Sequence, residues 1–263
     1  MNTATLPKPL TGIIPPMVTP LLDRDTLDCE GLERLIEHIL GGGIHGVFVL
    51  GTTGEAPSLS YRLRRELIER VCRQINGRVP VLVGITDTCF VESVNLAHHA
   101  ADAGAQAVVL SAPYYFPAGQ PELLEYIRHI IRELPLPLFL YNMPTFTKVA
   151  FEPETIRWAM ENEKIVGLKD SSGNMIYFHL ICQLLPNRPE WTLLIGPEEL
   201  LAESVVLGAH GGVSGGANLR PRLYVDLFEA ARAGDISRIR ELHAQVIRLS
   251  RIYQVGHYGS SVI

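Results

Sequence analysis

A lysine closes an apolar run in "IVGLKDSSG", residues 165–173. Lys8, Lys148, Lys164 and Lys169 are the only lysines, so 19 of the 23 basic residues are arginine. Arginine stays protonated in proteins, whereas a lysine stripped of water can lose its proton and become a nucleophile. The bland alternative is a lysine whose stem is buried and whose amine reaches solvent at a strand end, so its surroundings decide. Tyr141 closes a second apolar run, "PLFLY", where a buried structural tyrosine is the dull reading. "GTTGEA" sets Thr52 and Thr53 between glycines. That turn could be a plain helix cap, yet its hydroxyls and backbone N–H groups also suit a small anion. "GGVSGGAN" at 211–218 could line a wall or cradle phosphate, as barrels often do after strands seven and eight. An amine, a phenol, an anion-binding turn and a glycine-rich wall are together the parts of Schiff-base chemistry on a keto acid. The lysine attacks the ketone, the tyrosine moves protons and the turn holds the carboxylate.

These residues need a frame that brings four distant stretches to one mouth. Eight short apolar runs supply it: 12–18, 46–50, 79–84, 107–111, 137–141, 165–169, 192–196 and 211–214. Helical spacing fills the gaps, with Leu32, Leu35, Ile36, Ile39 and Leu40 on one face and Leu123, Ile127, Ile130 and Leu134 on another. Pro121 and Pro221 fit first helical turns, and Gly104 and Gly234 fit helix ends. Eight strands each followed by a helix predict an α/β fold, a (β/α)8 TIM barrel, whose active site lies at the C-terminal ends of the strands. Near-continuous apolar strands fit a parallel sheet covered by helices. A doubly wound open sheet is the alternative, but no GxGxxG follows the first strand. Residues 1–263 read as one barrel domain, with a C-terminal helical extension from about 235 in "DISRIRELHAQVIRLS".

A formal charge of −5 without a basic stripe argues against nucleic acid. The start "MNTATLPKPL" carries no secretory pattern and no apolar run approaches membrane length, which predicts a cytoplasmic protein without a membrane partner. Cys29, Cys72, Cys89 and Cys182 are scattered and read as reduced thiols. The adjacent pair His98-His99 points in divergent directions on a helix, and no metal is predicted.

The sequence resembles the dihydrodipicolinate synthase/N-acetylneuraminate lyase family of pyruvate-dependent class I aldolases. "GTTGEAPSLS", "APYYFPAGQ", "YNMPT", "VGLKDSSG" and "GGVSGGAN" carry the resemblance, in family order and over nearly the whole chain. It implies a barrel with extra C-terminal helices, and relatives that continue past the final "GHYGSSVI". It implies Lys169 as the Schiff-base lysine, Tyr141 as the proton-transferring tyrosine, and Thr52 and Thr53 as the pair that binds the pyruvate carboxylate and relays protons, with the Thr53 hydroxyl as the catalytic partner of Tyr141. Tyr115 matches a catalytic tyrosine that synthase members donate across a subunit interface, which implies a homo-oligomer, a dimer or tetramer. Val213 matches a residue whose backbone faces pyruvate, and Thr145, Ser171 and Gly196 fall at substrate-binding positions. No cofactor is implied, because the covalent lysine imine is itself the electron sink. In lysine-biosynthetic synthases an arginine follows the "YN-P" motif and grips the aldehyde's carboxylate. Here that position is Phe146, and Lys148 two residues on reads as solvated. "GPEEL" sets Glu198 and Glu199 where sialic-acid lyases bind substrate hydroxyls, although carboxylates in a first helical turn also favour the helix dipole. The resulting expectation is an aldolase or lyase for a 2-keto-3-deoxy sugar acid or related hydroxy-keto acid. The alternatives are dihydrodipicolinate synthase, a phosphate-binding barrel enzyme and a non-catalytic keto-acid-binding protein.

Overall fold

In the computed structural model, residues 5–255 are described; the first four residues and the final "GHYGSSVI" lie outside them. Eight parallel strands run in the order β1-β8-β7-β6-β5-β4-β3-β2. They are β1 (Gly12–Ile13), β2 (Val47–Val49), β3 (Val81–Gly84), β4 (Ala107–Ser111), β5 (Leu138–Asn142), β6 (Ile165–Asp170), β7 (Thr192–Ile195) and β8 (Gly211–Gly212). The eight apolar runs therefore all become strands, and the differences fall at the seam. The run at 12–18 keeps only two strand residues because Pro15 and Pro16 carry no N–H for a ladder. The chain stays extended there, and Phe48 N donates to Pro15 O at 2.9 Å while Met17 N donates to Phe48 O at 2.8 Å. Those bonds join the ends of the sheet and close the barrel.

The outer helices are α1 (Cys29–Gly41), α2 (Tyr61–Ile75), α3 (Phe90–Asp102), α4 (Gln120–Glu133), the single turn α5 (Pro144–Thr147), α6 (Pro153–Met160), α7 (Met175–Cys182), α8 (Leu201–Val206) and α9 (Pro221–Ala233). Side-chain caps start several of them: Asp28 accepts from Gly31 N, Ser60 from Leu63 N and Asn174 from Tyr177 N. The expected C-terminal extension is α10 (Ile236–Leu249), capped by Asp235 and followed by a 3₁₀ turn at Ser250–Gln254. None of the described helices is long and apolar enough to cross a membrane.

Alternation along the strands sorts the apolar side chains into two layers. Leu32, Leu63, Ile127, Ile156 and Leu168 belong to the larger cluster, between strands and helices. Ile14, Phe48, Leu82, Val109, Phe139 and Leu194 fill the barrel itself, and Tyr141 and Val213 belong to that inner set. Gly167 of β6 serves this packing. A Cβ there would stand 2.6 Å from the Phe139 ring and from Thr192 O, so only glycine lets that ring cross the barrel.

Candidate active site

Register places the candidate lysine and tyrosine side by side. Tyr141 of β5 pairs with Lys169 of β6, one step before Asn142 pairs with Asp170. Lys169 is 6% exposed, and its Nζ lies 4.0 Å from the centre of the Tyr141 ring and 5.1 Å from that of Phe48. Two aromatic faces thus hold an amine inside the barrel. Tyr141 OH and Thr52 Oγ1 are 3.3 Å apart. Burial alone would raise the Tyr141 phenol. The neighbouring Lys169 charge and hydrogen bonds from Thr52, Ser171 and Lys169 outweigh it, so the phenol lies below its ordinary value.

The threonine turn reaches the mouth through an unusual backbone. Leu50, which ends the β2 run, has φ 57°, a conformation that costs energy for a residue with a Cβ. The turn is then tied down from the β1 side, where Thr19 Oγ1 donates to Gly54 O at 2.8 Å. Asn218 fixes the glycine turn after β8 by donating to Gly215 O and Pro16 O, at 2.8 and 2.9 Å. A Cβ on Gly215 would stand 3.8 Å from Thr53 Oγ1, so the two turns face each other.

A cavity of about 390 Å³ opens beside this cluster. Tyr141 and Thr52 form part of its wall, and it runs past Ser58, Thr86, Ser111 and Tyr114 to Met143 and Phe146. Among the described residues that line it, Glu55 is the one charged side chain, and none is a lysine or arginine. Lys148 has turned onto its own chain: its Nζ donates to Thr145 O at 2.8 Å at the exposed end of α5.

The structure brings Lys169, Tyr141, Thr52 and Ser171 together; Gly196 joins them because a Cβ on it would meet Ser171 Oγ. Lys169, Thr53 and Val213 do not line the cavity itself, and the threonine in contact with Tyr141 is Thr52 rather than Thr53. Tyr115 stands apart, 72% exposed and edge-on to Phe116 at 4.9 Å between ring centres. Thr145 is exposed and Phe146 partly exposed at the outer rim. Glu199 is half-buried, and its carbonyl accepts from His243 Nε2 of α10 at 2.8 Å.

Glu198 departs most from the expectation of a carboxylate facing substrate. It is 3% exposed, and both its oxygens are engaged. Oε2 accepts from Gly216 N at 2.6 Å and from Tyr253 OH at 3.5 Å, while Oε1 accepts from Tyr224 OH at 2.7 Å. Burial raises its carboxyl above the ordinary range, against the pull of those donors. The sequence offered no sign of this hub, because Tyr224 and Tyr253 lie in α9 and the C-terminal turn. Nor did it mark Glu55, Thr86 and Ser111 as cavity wall. Among the described residues, no group of three or more His, Cys, Asp or Glu side chains is placed to hold a metal ion.

A closed parallel barrel with a buried lysine and tyrosine at its strand ends defines a class of enzyme, and the relatives specify it. The sequence model of the Dihydrodipicolinate synthetase family matches residues 9–261. The chain belongs to that family, whose members are pyruvate-dependent aldolases and lyases that work through a lysine Schiff base. A 4-hydroxy-tetrahydrodipicolinate synthase of Methanopyrus kandleri is 36% identical over 244 residues, 92% of this chain and 81% of the relative. "Probable 2-dehydro-3-deoxy-D-pentonate aldolase YjhH" of Escherichia coli K12 is 33% identical over 94% of this chain and 82% of its own length. Among solved structures, a dihydrodipicolinate synthase from Bacteroides thetaiotaomicron is 58% identical with a TM-score of 0.93, covering 97% of this chain and 86% of that one. YagE from E. coli K12, solved in complex with pyruvate, is 30% identical with a TM-score of 0.89 over 94% of this chain and 83% of its own.

Proposed function

We propose that this aldolase/lyase acts on a 2-keto-3-deoxy sugar acid or a related hydroxy-keto acid, by reversible addition of pyruvate to a neutral hydroxy-aldehyde. Lys169 Nζ, as the neutral amine, adds its lone pair to C2 of pyruvate, and its proton passes to the former ketone oxygen to give a carbinolamine. Tyr141 and the threonine pair shuttle protons as water leaves and the imine forms. Loss of a C3 proton gives an enamine, with the imine nitrogen as electron sink. The enamine then attacks the aldehyde, or the sequence runs backwards as cleavage. Thr52, Thr53 and the Val213 backbone hold the pyruvate carboxylate. Ser171 and Gly196 border the keto acid, Thr145 and Phe146 the second substrate, and Glu199 is the remaining candidate for a substrate hydroxyl. Tyr115 completes the site of a neighbouring subunit in a homo-oligomer. The whole chain forms one domain and works in the cytoplasm.

The make-up of the cavity is the observation that carries the choice of second substrate. Ser58, Thr86, Ser111 and Tyr114 bring hydroxyl-bearing side chains to its wall, which suits a polyhydroxylated chain, whereas among the described lining residues a carboxylate would meet Glu55 and no lysine or arginine. Losing a charge-assisted bidentate partner typically costs a few kcal/mol, roughly two orders of magnitude in discrimination.

A second reading, 4-hydroxy-tetrahydrodipicolinate synthase, is favoured by the names of the 36% and 58% identical relatives. One experiment separates the two. Borohydride trapping with pyruvate, followed by intact mass, should give a stable adduct that Lys169→Arg abolishes. Side-by-side kcat/KM values should then favour neutral hydroxy-aldehydes, or cleavage of their aldol products, over aspartate semialdehyde. A tenfold win for the semialdehyde would sink the sugar-acid reading and restore the synthase.

A further inference from the structure

The 3₁₀ turn Gly215–Asn218 begins without a cap of its own. Ser214 occupies the capping position but makes no side-chain bond to the turn, and its buried Oγ has no partner. First-turn N–H groups of a helical segment lack partners within the segment, so a buried one must find an acceptor elsewhere. Gly216 N finds Glu198, 18 residues earlier in the chain, at 2.6 Å. The other carboxylate oxygen is held by the phenol of Tyr224, itself fully buried in α9. Glycine is required at 216 by this same contact. A Cβ there would stand 2.0 Å from Tyr224 OH and 2.8 Å from Glu198 Oε1. The glycine-rich stretch that could have cradled a phosphate is therefore occupied at Gly216 by a side chain of the protein itself.

What this bond fixes matters for the reaction. The turn is continuous with Val213, which packs in the barrel interior with Tyr141 and Phe48. A Cβ on its Gly215 would meet Tyr253 OH at 2.5 Å and, beyond it, Thr53 Oγ1 at 3.8 Å. With Asn218 holding the Gly215 carbonyl and Glu198 the Gly216 N–H, the wall opposite the threonine pair is fixed from both ends. A carboxylate this buried, with three donors already on it, has little capacity left for a substrate hydroxyl.

We infer that Glu198 is a positioning residue for the keto-acid subsite: held by Tyr224, it caps the turn after β8 and sets the wall against which pyruvate is bound. The inference rests on the Schiff-base reading above and concerns the pyruvate half of the reaction alone.

The test is the pyruvate concentration that half-saturates borohydride trapping, which requires no knowledge of the aldehyde. Glu198→Ala leaves a buried N–H without an acceptor, and half-saturation should rise about tenfold. Glu198→Gln should restore most of the loss, since its amide oxygen can accept from Gly216 N while its N–H donates to the Tyr224 oxygen. Tyr224→Phe, which keeps the ring and frees one carboxylate oxygen, should move half-saturation the same way by about threefold; it decides the matter if Glu198→Ala fails to fold. KM for the aldehyde or aldol partner should stay within about twofold, because the buried bond is on the keto-acid side. Unchanged pyruvate half-saturation with only a lower Tm would overturn the inference in favour of a purely structural role. A changed KM for the hydroxylated partner alone would overturn it in favour of a substrate contact. Absence of any adduct in the wild-type protein would instead remove the Schiff-base reading, and that control is read first.

Discussion

At the scale of single residues, the chemistry depends on what surrounds two side chains. Lys169 is held by the faces of Tyr141 and Phe48, and Tyr141 by the amine and by Thr52. Those neighbours lower the phenol despite its burial, which suits the proton-carrying role proposed for it. Tyr141→Phe should therefore fold normally and lose turnover by roughly 10²-fold or more, the usual scale of acid–base catalysis. A near-wild-type kcat would rule it out as the main proton carrier. The 3.3 Å contact adds a finer expectation, that Thr52→Val lowers kcat more than Thr53→Val, checked by steady-state kinetics of both variants. Lys169 and Tyr141 stood out as candidates in the sequence because each closes an apolar run. The commitment of Glu198 was not, since a glutamate in a helical first turn looks the same whether its oxygens face solvent, substrate or a buried amide.

Elements hold these residues through bonds on the far side of the strands. Asn142 Nδ2 donates to Asp170 Oδ1 at 2.8 Å, one position beyond the Tyr141–Lys169 pair, and Asn142 Oδ1 accepts from Phe151 N. Asp170 is fully buried and also accepts from Ser172 N and Oγ. This couples β5 to β6 at the level of the amine. Burial, partly offset by those donors, raises the Asp170 carboxyl above its ordinary value. The folded protein then binds a proton there more tightly than the unfolded chain. Stability from this group is greatest below the unfolded value and is lost as pH rises through the folded one. Asp170→Asn keeps an acceptor for Asn142 and cannot ionise, so its Tm relative to wild type should rise by a few degrees from about pH 4 towards neutrality. A Tm difference that does not vary with pH would show that the carboxyl's burial has no such linkage. Strands and helices were largely readable from the apolar pattern: "AVVLS" is β4 to the residue, and Pro221 and Gly234 stand in the first turn and at the C-cap of α9. The seam was less readable, because a proline pair inside an apolar run stops the strand pattern without ending the extended chain. The Asn142–Asp170 bond was out of reach for a different reason. It depends on the register between β5 and β6, which shifts at Leu138 and Phe139.

At the scale of the molecule, Tyr115 stands out because it is exposed beside the cavity. The segment after β4 presents Tyr115 and Phe116 as an edge-to-face aromatic pair, 72% and 79% exposed, although most large apolar side chains of the described residues are buried. Exposed aromatics grouped at one place mark an interaction surface more often than chance packing. Tyr114, the neighbour on the other side, already lines the cavity, so whatever covers Tyr115 lies within one residue of the site. A second copy of the chain is the occupant that also explains the resemblance of Tyr115 to a donated tyrosine. A stable dimer needs about 800 Å² buried per partner, far more than two rings provide, so the pair would be one anchor in a larger face. Sedimentation at micromolar concentration should then give a dimer or larger. Tyr115→Ala should both weaken association and lower kcat, whereas substitution of an exposed residue remote from the cavity, such as Ile236, should do neither. A monomer that retains full activity would assign Tyr115 to the surface of its own subunit. It would also mean that Lys169, Tyr141 and the threonine turn form a complete reaction centre within one barrel.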